Sequence, residues 1–195
     1  VPRAMAETFQ TQYGVKVRQI WGMTETSPLG VLATPTPQIA ALGEDEMDEI
    51  IWTRQGRLQF GIELRIVDED GTPLPHDGES AGALHVRGPW TVERYFRSET
   101  SACDGDGWFD TGDISTIDAH GFMRITDRAK DVIKTGGEWI SSIDLENIAV
   151  ACPGVKIAAV VGVPHPKWEE RPLLVIEVHE GRTVTRDEVL DYLRP

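Results

Sequence analysis

From Arg57 to about Thr126 the chain is a succession of short strand patterns separated by Gly and Pro turns, and after Asp127 that pattern stops. Ile62 to Val67 reads as a strand followed by an Asp70-Gly71 turn, and Ala83 to Arg87 as another, stopped by Gly88-Pro89. Ile114–Ile117 and Phe122–Ile125 flank Asp118-Ala119-His120-Gly121 as a hairpin. Many short strands with such turns predict a small barrel or sandwich over residues 57–126.

Beyond Asp127 the signals mix. Asp131–Thr135 and Glu138–Ile140, around Gly136-Gly137, read as a second hairpin. Ser141-Ser142 can cap a helix running to about Cys152, with Pro153-Gly154 after it. Ile157–Val163 and Leu173–Val178 read as apolar strands, and Thr185-Arg186-Asp187-Glu188 is a capping box opening a last helix. The boundary is therefore expected near Asp127–Asp131, with one domain over 1–127 and a second over 128–195. Ahead of the β-rich region, Pro2 to Tyr13 reads as a helix with Met5 and Phe9 on one face and Gly14 as its stop. Val15 to Trp21 reads as an imperfect strand, Thr34-Pro35-Thr36-Pro37 as a loop, and the acidic run from Gly43 to Glu49 as a short solvated helix. No internal repeat or low-complexity tract is present.

With 195 residues, the chain can bury roughly 70% of its unfolded surface. Its formal charge of −13 speaks against a nucleic-acid partner, whose phosphates require a basic surface. It speaks equally against docking on an anionic membrane by charge. No apolar run approaches the ~20 residues of a transmembrane segment. Cys103 and Cys152 are too few and too far apart for a disulfide framework or a Cys-x-x-Cys metal site, and reduced thiols point to the cytoplasm. The N-terminus shows no signal pattern and no starting Met.

Three motifs carry chemistry. Trp21-Gly22-Met23-Thr24-Glu25 sits at a strand end and the loop after it, a common place for function. Trp108-Phe109-Asp110-Thr111-Gly112-Asp113 is the second, and the block from Asp127 to Glu138 the third. Trp21 offers a flat face to a base, Thr24 a hydroxyl to a phosphate oxygen, and Glu25 a hard oxygen to Mg²⁺. Asp113 can accept from two ribose hydroxyls, and Arg128 supplies donors to ribose or phosphate. Taken singly, each has an ordinary structural reading. Trp21 fits a core aromatic, Thr24 and Glu25 a turn, Asp113 a turn aspartate, Arg128 a surface ion pair, Gly136-Gly137 a hairpin turn and Lys134 a solvated strand lysine. Their joint order favours the functional reading.

In that order the motifs resemble those of the adenylate-forming AMP-forming acyl-CoA synthetase superfamily. The stretch from Asp131 to Glu146, supported by Val163 to Pro172, resembles its medium- and long-chain fatty-acyl-CoA synthetase branch. The resemblance covers essentially the whole chain. It implies a fold that is α/β and α+β, the end of a large adenylating N-terminal domain with its β-rich subdomain, followed by most of a small α+β C-terminal domain. It implies that Trp21 packs on adenine within a nucleotide-binding set of Trp21, Gly22, Thr24, Asp113 and Arg128. It makes Thr24 and Glu25 the catalytic pair, with Glu25 on Mg²⁺, and Lys130 the hinge. Lys134, Gly136 and Gly137 would lie beside CoA, Gly137 because only a missing side chain lets the pantetheine arm pass. Trp21 replaces a Tyr of many relatives; the face survives, the aromatic hydroxyl does not. His165, between two prolines, reads as a turn residue without a catalytic part.

The implied cofactors are ATP, Mg²⁺ and CoA, the implied substrate a fatty acid, and the implied products acyl-CoA, AMP and pyrophosphate. The family's phosphate loop would lie before Val1 and its C-terminal lysine beyond Pro195. The chain thus reads as a piece of a longer protein, expected not to adenylate at a useful rate alone. Acyl chain length is not legible in these residues. Relatives are often dimers, so a homodimer stays open. So do an aryl or short-chain acid as substrate, a carrier-protein acceptor, and a non-catalytic AMP-binding module.

Overall fold

The structure, a computed structural model, describes residues 3–136 and 138–194. Pro2, Gly137 and Pro195 lie outside the described residues, and with them the expected first-turn proline and the candidate pantetheine glycine. The chain divides into two compact units, 1–125 and 126–195.

The first unit opens with α1 (Arg3–Tyr13). Met5 and Phe9, expected to share a face, are 51% and 42% exposed, and Ala6 is buried. The helix is tied to the unit by Gln10, whose amide donates to Asp48 at 2.7 Å. A helical period reports which residues share a face but not which face meets a neighbour.

Strands β1 (Ile20–Trp21), β2 (Val31–Leu32) and β3 (Arg57–Leu58) form a small antiparallel sheet. The strand expected over Val15–Trp21 is only its last two residues. The acidic run is longer and less solvated than expected. After α2 (Pro37–Ala40), α3 spans Glu44–Thr53 and buries Asp48, Ile51 and Trp52. Its first turn carries Glu44, Asp45 and Glu46, favourable beside the helix dipole. Its second half supplies the apolar face.

The β-rich stretch, expected as a barrel or sandwich, is laid out as a four-stranded antiparallel meander in the order β4 (Glu63–Val67), β5 (Gly82–Arg87), β6 (Phe109–Ile117), β7 (Met123–Arg128). Strand β5 alternates buried and half-buried residues along its whole length, the signature of a sheet with one face inward. Ile66, Leu84, Val86, Phe109, Ile117 and Met123 form the core, and Trp21 and Val31 of the small sheet join it.

The second unit holds the end of β7 and a four-stranded sheet in the order β10 (Val155–His165), β11 (Glu169–Val178), β8 (Ile133–Thr135), β9 (Glu138–Ile140). Helices α4 (Ser142–Ala151) and α5 (Arg186–Tyr192) complete it. Ala149, Cys152, Val155 and Val189 are its core. The capping box is present, Thr185 bonding the Glu188 amide and Glu188 the Thr185 amide. His165 is the last residue of β10, paired with Glu169, rather than a turn residue. The turn begins after it, at Pro166, and His165 Nδ1 accepts from the Lys167 amide at 3.2 Å.

Candidate nucleotide site

The Trp21–Glu25 motif is a tight return of the chain. Thr24–Thr26 form one turn of 3₁₀ helix. Thr26, fully buried, closes it: its hydroxyl accepts from the Met23 amide and donates to the Met23 carbonyl, both at 3.0 Å. The chain then doubles back so closely that a Cβ on Gly22 would stand 1.6 Å from the Pro28 carbonyl oxygen. Gly22 is therefore required by the backbone itself. Gly30 is required in the same way, because a Cβ there would lie 2.3 Å from the Trp21 ring.

Asp113 is aimed by an irregularity in β6. Between the pairs Ala83–Ile114 and His85–Asp110, β5 advances two residues while β6 advances four. Thr111, Gly112 and Asp113 thus stand against the single Leu84, two residues more than the ladder accommodates, and such a bulge re-aims side chains. Gly112 takes φ +73°, a left-handed conformation suited to glycine. The Thr111 hydroxyl pins the bulge by donating to the Leu84 carbonyl at 2.8 Å. The Thr-Gly-Asp motif is thus a β-bulge, not a simple turn.

The two motifs meet. The Trp21 indole N–H donates to Asp113 Oδ2 at 2.8 Å. Trp21 is only 7% exposed. Thr24 and Glu25 lie three and four residues beyond it, within about 14 Å even along extended chain. Glu25 is half-buried, and its Oε1 accepts from the Tyr95 phenol at 2.8 Å. That bond, then partial burial and the Glu25 charge, raise the Tyr95 pKa. Tyr95 belonged to none of the three motifs, and no sequence signal marked it. Among the described residues no group of three His, Cys, Asp or Glu could hold a metal ion. Glu25 would therefore supply one ligand, the pattern of Mg²⁺ held mainly by phosphate oxygens and water.

In the second unit, Asp127 turns out to be an anchor. It is 1% exposed; its Oδ1 accepts from the Arg128 amide at 2.7 Å and its Oδ2 from the Ser142 amide at 2.6 Å. Ser141 caps the same helix, accepting from the Asp144 amide at 3.1 Å and donating to the Thr126 carbonyl. Two caps on the first turn of α4 satisfy amides that the helix cannot. Arg128 and Lys130 line a cavity of about 490 Å³ with Asp131, Ser142, Glu146 and Glu170. Lys134 sets its ammonium 5.3 Å from the Trp139 ring centre, and its amide donates to Glu170 at 3.1 Å. Gly136, at φ +59°, donates to the Trp168 carbonyl at 3.1 Å, and a Cβ there would stand 2.7 Å from the Trp168 ring.

Fold and motifs together are those of the adenylate-forming enzymes. The chain belongs to the AMP-binding enzyme family: the AMP-binding enzyme model matches residues 1–96, and the model of that enzyme's C-terminal domain matches residues 144–195. It is 50% identical over 191 residues to the 3-methylmercaptopropionyl-CoA ligase of Ruegeria lacuscaerulensis, covering 98% of this chain and 35% of that protein. It is 47% identical, with the same coverage, to the medium-chain-fatty-acid–CoA ligase of Ectopseudomonas oleovorans. Among solved structures, ATP-bound MatB from Rhodopseudomonas palustris superposes with a TM-score of 0.82 at 30% identity, covering 98% of this chain and 36% of that one. The chain spans about a third of the length of the curated relatives it matches.

Proposed function

We propose that this chain is part of an AMP-forming ligase that activates a fatty acid with ATP and passes the acyl group to CoA. The observation that carries the reading is the Trp21–Asp113 hydrogen bond, which joins two motifs separated by 92 residues beside the Thr24–Glu25 turn. Asp113 would hold the ribose hydroxyls as a charged acceptor, Thr24 would donate to the α-phosphate, and Glu25 would hold Mg²⁺, which would offset the phosphate charge. Fixing the phosphorus and its counter-charges in advance is the protein's main task when a carboxylate displaces pyrophosphate. Arg128 follows as a second donor, Lys130 as the hinge, and Lys134, Gly136 and Gly137 as the CoA-side residues. With its mostly buried ring, Trp21 gives adenine an edge or one face while its N–H sets Asp113.

A medium-chain acid is favoured by the name of the relative at 47% identity, and a short thioether acid by that of the relative at 50%. The first unit reads as the end of the large AMP-binding domain, and the second as most of the small one. No described helix is long and apolar enough to cross a membrane. Cys103 and Cys152 are unpaired, and we assign the protein to the reducing cytoplasm.

The test is turnover by the protein that carries this chain, with Mg²⁺, ATP, CoA and acids from three to twelve carbons, both pyrophosphate and acyl-CoA being read. We expect acid-dependent release of both, lost in Asp113→Ala and Glu25→Gln. Wild-type release with both variants fully active would refute the site; no pyrophosphate with any acid would refute the ligase.

A further inference from the structure

Glu25 is held from two sides by a segment that the motifs did not include. Its carbonyl accepts from the Val92 amide at 2.7 Å, and the Trp90 indole donates to the Leu29 carbonyl at 3.2 Å. Ser27 Oγ donates to the Trp90 carbonyl at 3.0 Å. Three bonds thus lash residues 25–29 to residues 90–92. The strap continues as a closed loop, with the Ala102 amide on the Glu93 carbonyl at 2.8 Å and the Ser98 amide on the Tyr95 carbonyl at 3.0 Å. From that loop Tyr95 reaches back to the Glu25 carboxylate.

The position of Tyr95 is not a packing position. The side chain is 52% exposed, so burial does not account for an aromatic ring there. What it delivers is one donor, to one oxygen of one carboxylate. Among the described residues Oε2 of Glu25 takes no hydrogen bond. A half-exposed glutamate otherwise samples several rotamers, and a cation that needs one oxygen in one place works against that freedom.

We propose that Tyr95 is a positioning residue for Glu25, its phenol fixing Oε1 so that Oε2 is presented to the metal-bound nucleotide. This rests on the reading of Glu25 as the Mg²⁺ ligand. The phenol does not touch the nucleotide, and its effect is confined to ligands that arrive with the metal.

The experiment measures calorimetric affinities of the protein for AMP in EDTA and for ATP in Mg²⁺, in wild type, Tyr95→Phe and Glu25→Gln. Tyr95→Phe is expected to leave AMP unchanged and weaken Mg²⁺-ATP about three- to tenfold, the scale of one ordinary hydrogen bond, because the phenol acts only through Glu25. Glu25→Gln should weaken Mg²⁺-ATP at least as much. Loss of Mg²⁺-ATP binding in Glu25→Gln with none in Tyr95→Phe overturns the positioning role and spares the metal role of Glu25. Unchanged binding in Glu25→Gln, or no Mg²⁺-ATP binding by wild type, overturns both. Equal weakening of AMP and Mg²⁺-ATP in Tyr95→Phe identifies a merely structural tyrosine and also overturns the proposal.

Discussion

The Trp21 indole nitrogen lies 2.8 Å from Asp113 Oδ2, so the first residue of one motif orients the last residue of another. In its proposed role of gripping two vicinal hydroxyls, Asp113 gains from a fixed rotamer, and the indole N–H bonds one of its oxygens. Trp21→Phe keeps the ring and removes the donor. We expect AMP binding to weaken about three- to tenfold, less than the full worth of a hydrogen bond to a charged acceptor, because the indole acts only through the Asp113 rotamer. A modest loss of stability, about 1–3 kcal/mol, should accompany it because the ring belongs to the core. Calorimetry against AMP checks the first expectation and urea unfolding the second. Unchanged affinity would mean that Asp113 does not act on the nucleotide through this rotamer.

Gly22→Ala should be more damaging than its exposed position suggests. The added carbon would fall 1.6 Å from the Pro28 carbonyl oxygen, and backbone cannot step aside as a flexible side chain can. A loss of about 1–3 kcal/mol or more is expected, as for overpacked sites. Gly112→Ala is the contrast: no atom stands within 4 Å, so only the left-handed backbone is penalised, by about 1–2 kcal/mol. Unfolding curves for the two variants should therefore rank Gly22→Ala as the worse. Equal losses would show that the return at Pro28 relaxes freely.

Much of this was readable beforehand, and the failures have causes. Ser141 and Thr185 sit where cap chemistry put them, because a cap depends on three or four neighbouring residues. The meander strands were found because a one-faced sheet writes its alternation into the chain. Tyr95 was invisible: its partner is 70 residues away, and no periodicity encodes a bond across that distance. The bulge at Gly112 is hidden for a related reason, since extra residues in a ladder are defined only by the partner strand. The acidic first turn of α3 marks a short solvated helix, whereas its second half is held by tertiary burial of Ile51 and Trp52, which the local pattern does not carry. The roles of Gly22 and Gly136 looked functional from the motif, while their close contacts show a structural demand at each.

Asp127→Ala is predicted to loosen the start of α4. One carboxylate accepts from the Arg128 and Ser142 amides in a nearly sealed environment, and alanine leaves both donors without that acceptor. The cost should be about 2–4 kcal/mol, a lost cap plus an unmet buried donor. Hydrogen exchange localises it: amides of the first turn of α4 should exchange faster while those of β10 and β11 keep their order. Uniform acceleration through the second unit would instead mark Asp127 as part of its general core.

His85 should give the first unit a dependence on mildly acidic pH. It is half-buried on β5, where Arg65 Nη2 stands 3.2 Å from its Nδ1, an arrangement that suits a neutral ring accepting from the guanidinium. Arg65 also lies 4.4 Å from the Trp108 ring centre and bonds Asp104 at 3.0 Å. Partial burial is the main cause that holds the His85 pKa below its usual 6.5; the nearby charges of Asp110 and Asp104 raise it and that of Arg65 lowers it, with a net downward shift. A lowered value means that the unfolded chain takes up the proton first as pH falls. The stability contributed by neutral His85 is therefore complete above about 6.5 and is lost as pH drops through the lowered folded value. His85→Gln keeps a neutral polar side chain and removes the titration. The gap between wild-type and His85→Gln urea midpoints should hold from pH 7.5 to about 6.5 and narrow from there to pH 5, with Trp108 fluorescence reporting the local change. Parallel midpoints across that range would show that the ring titrates alike in the folded and unfolded chains, and that the Arg65 contact does not depend on its charge.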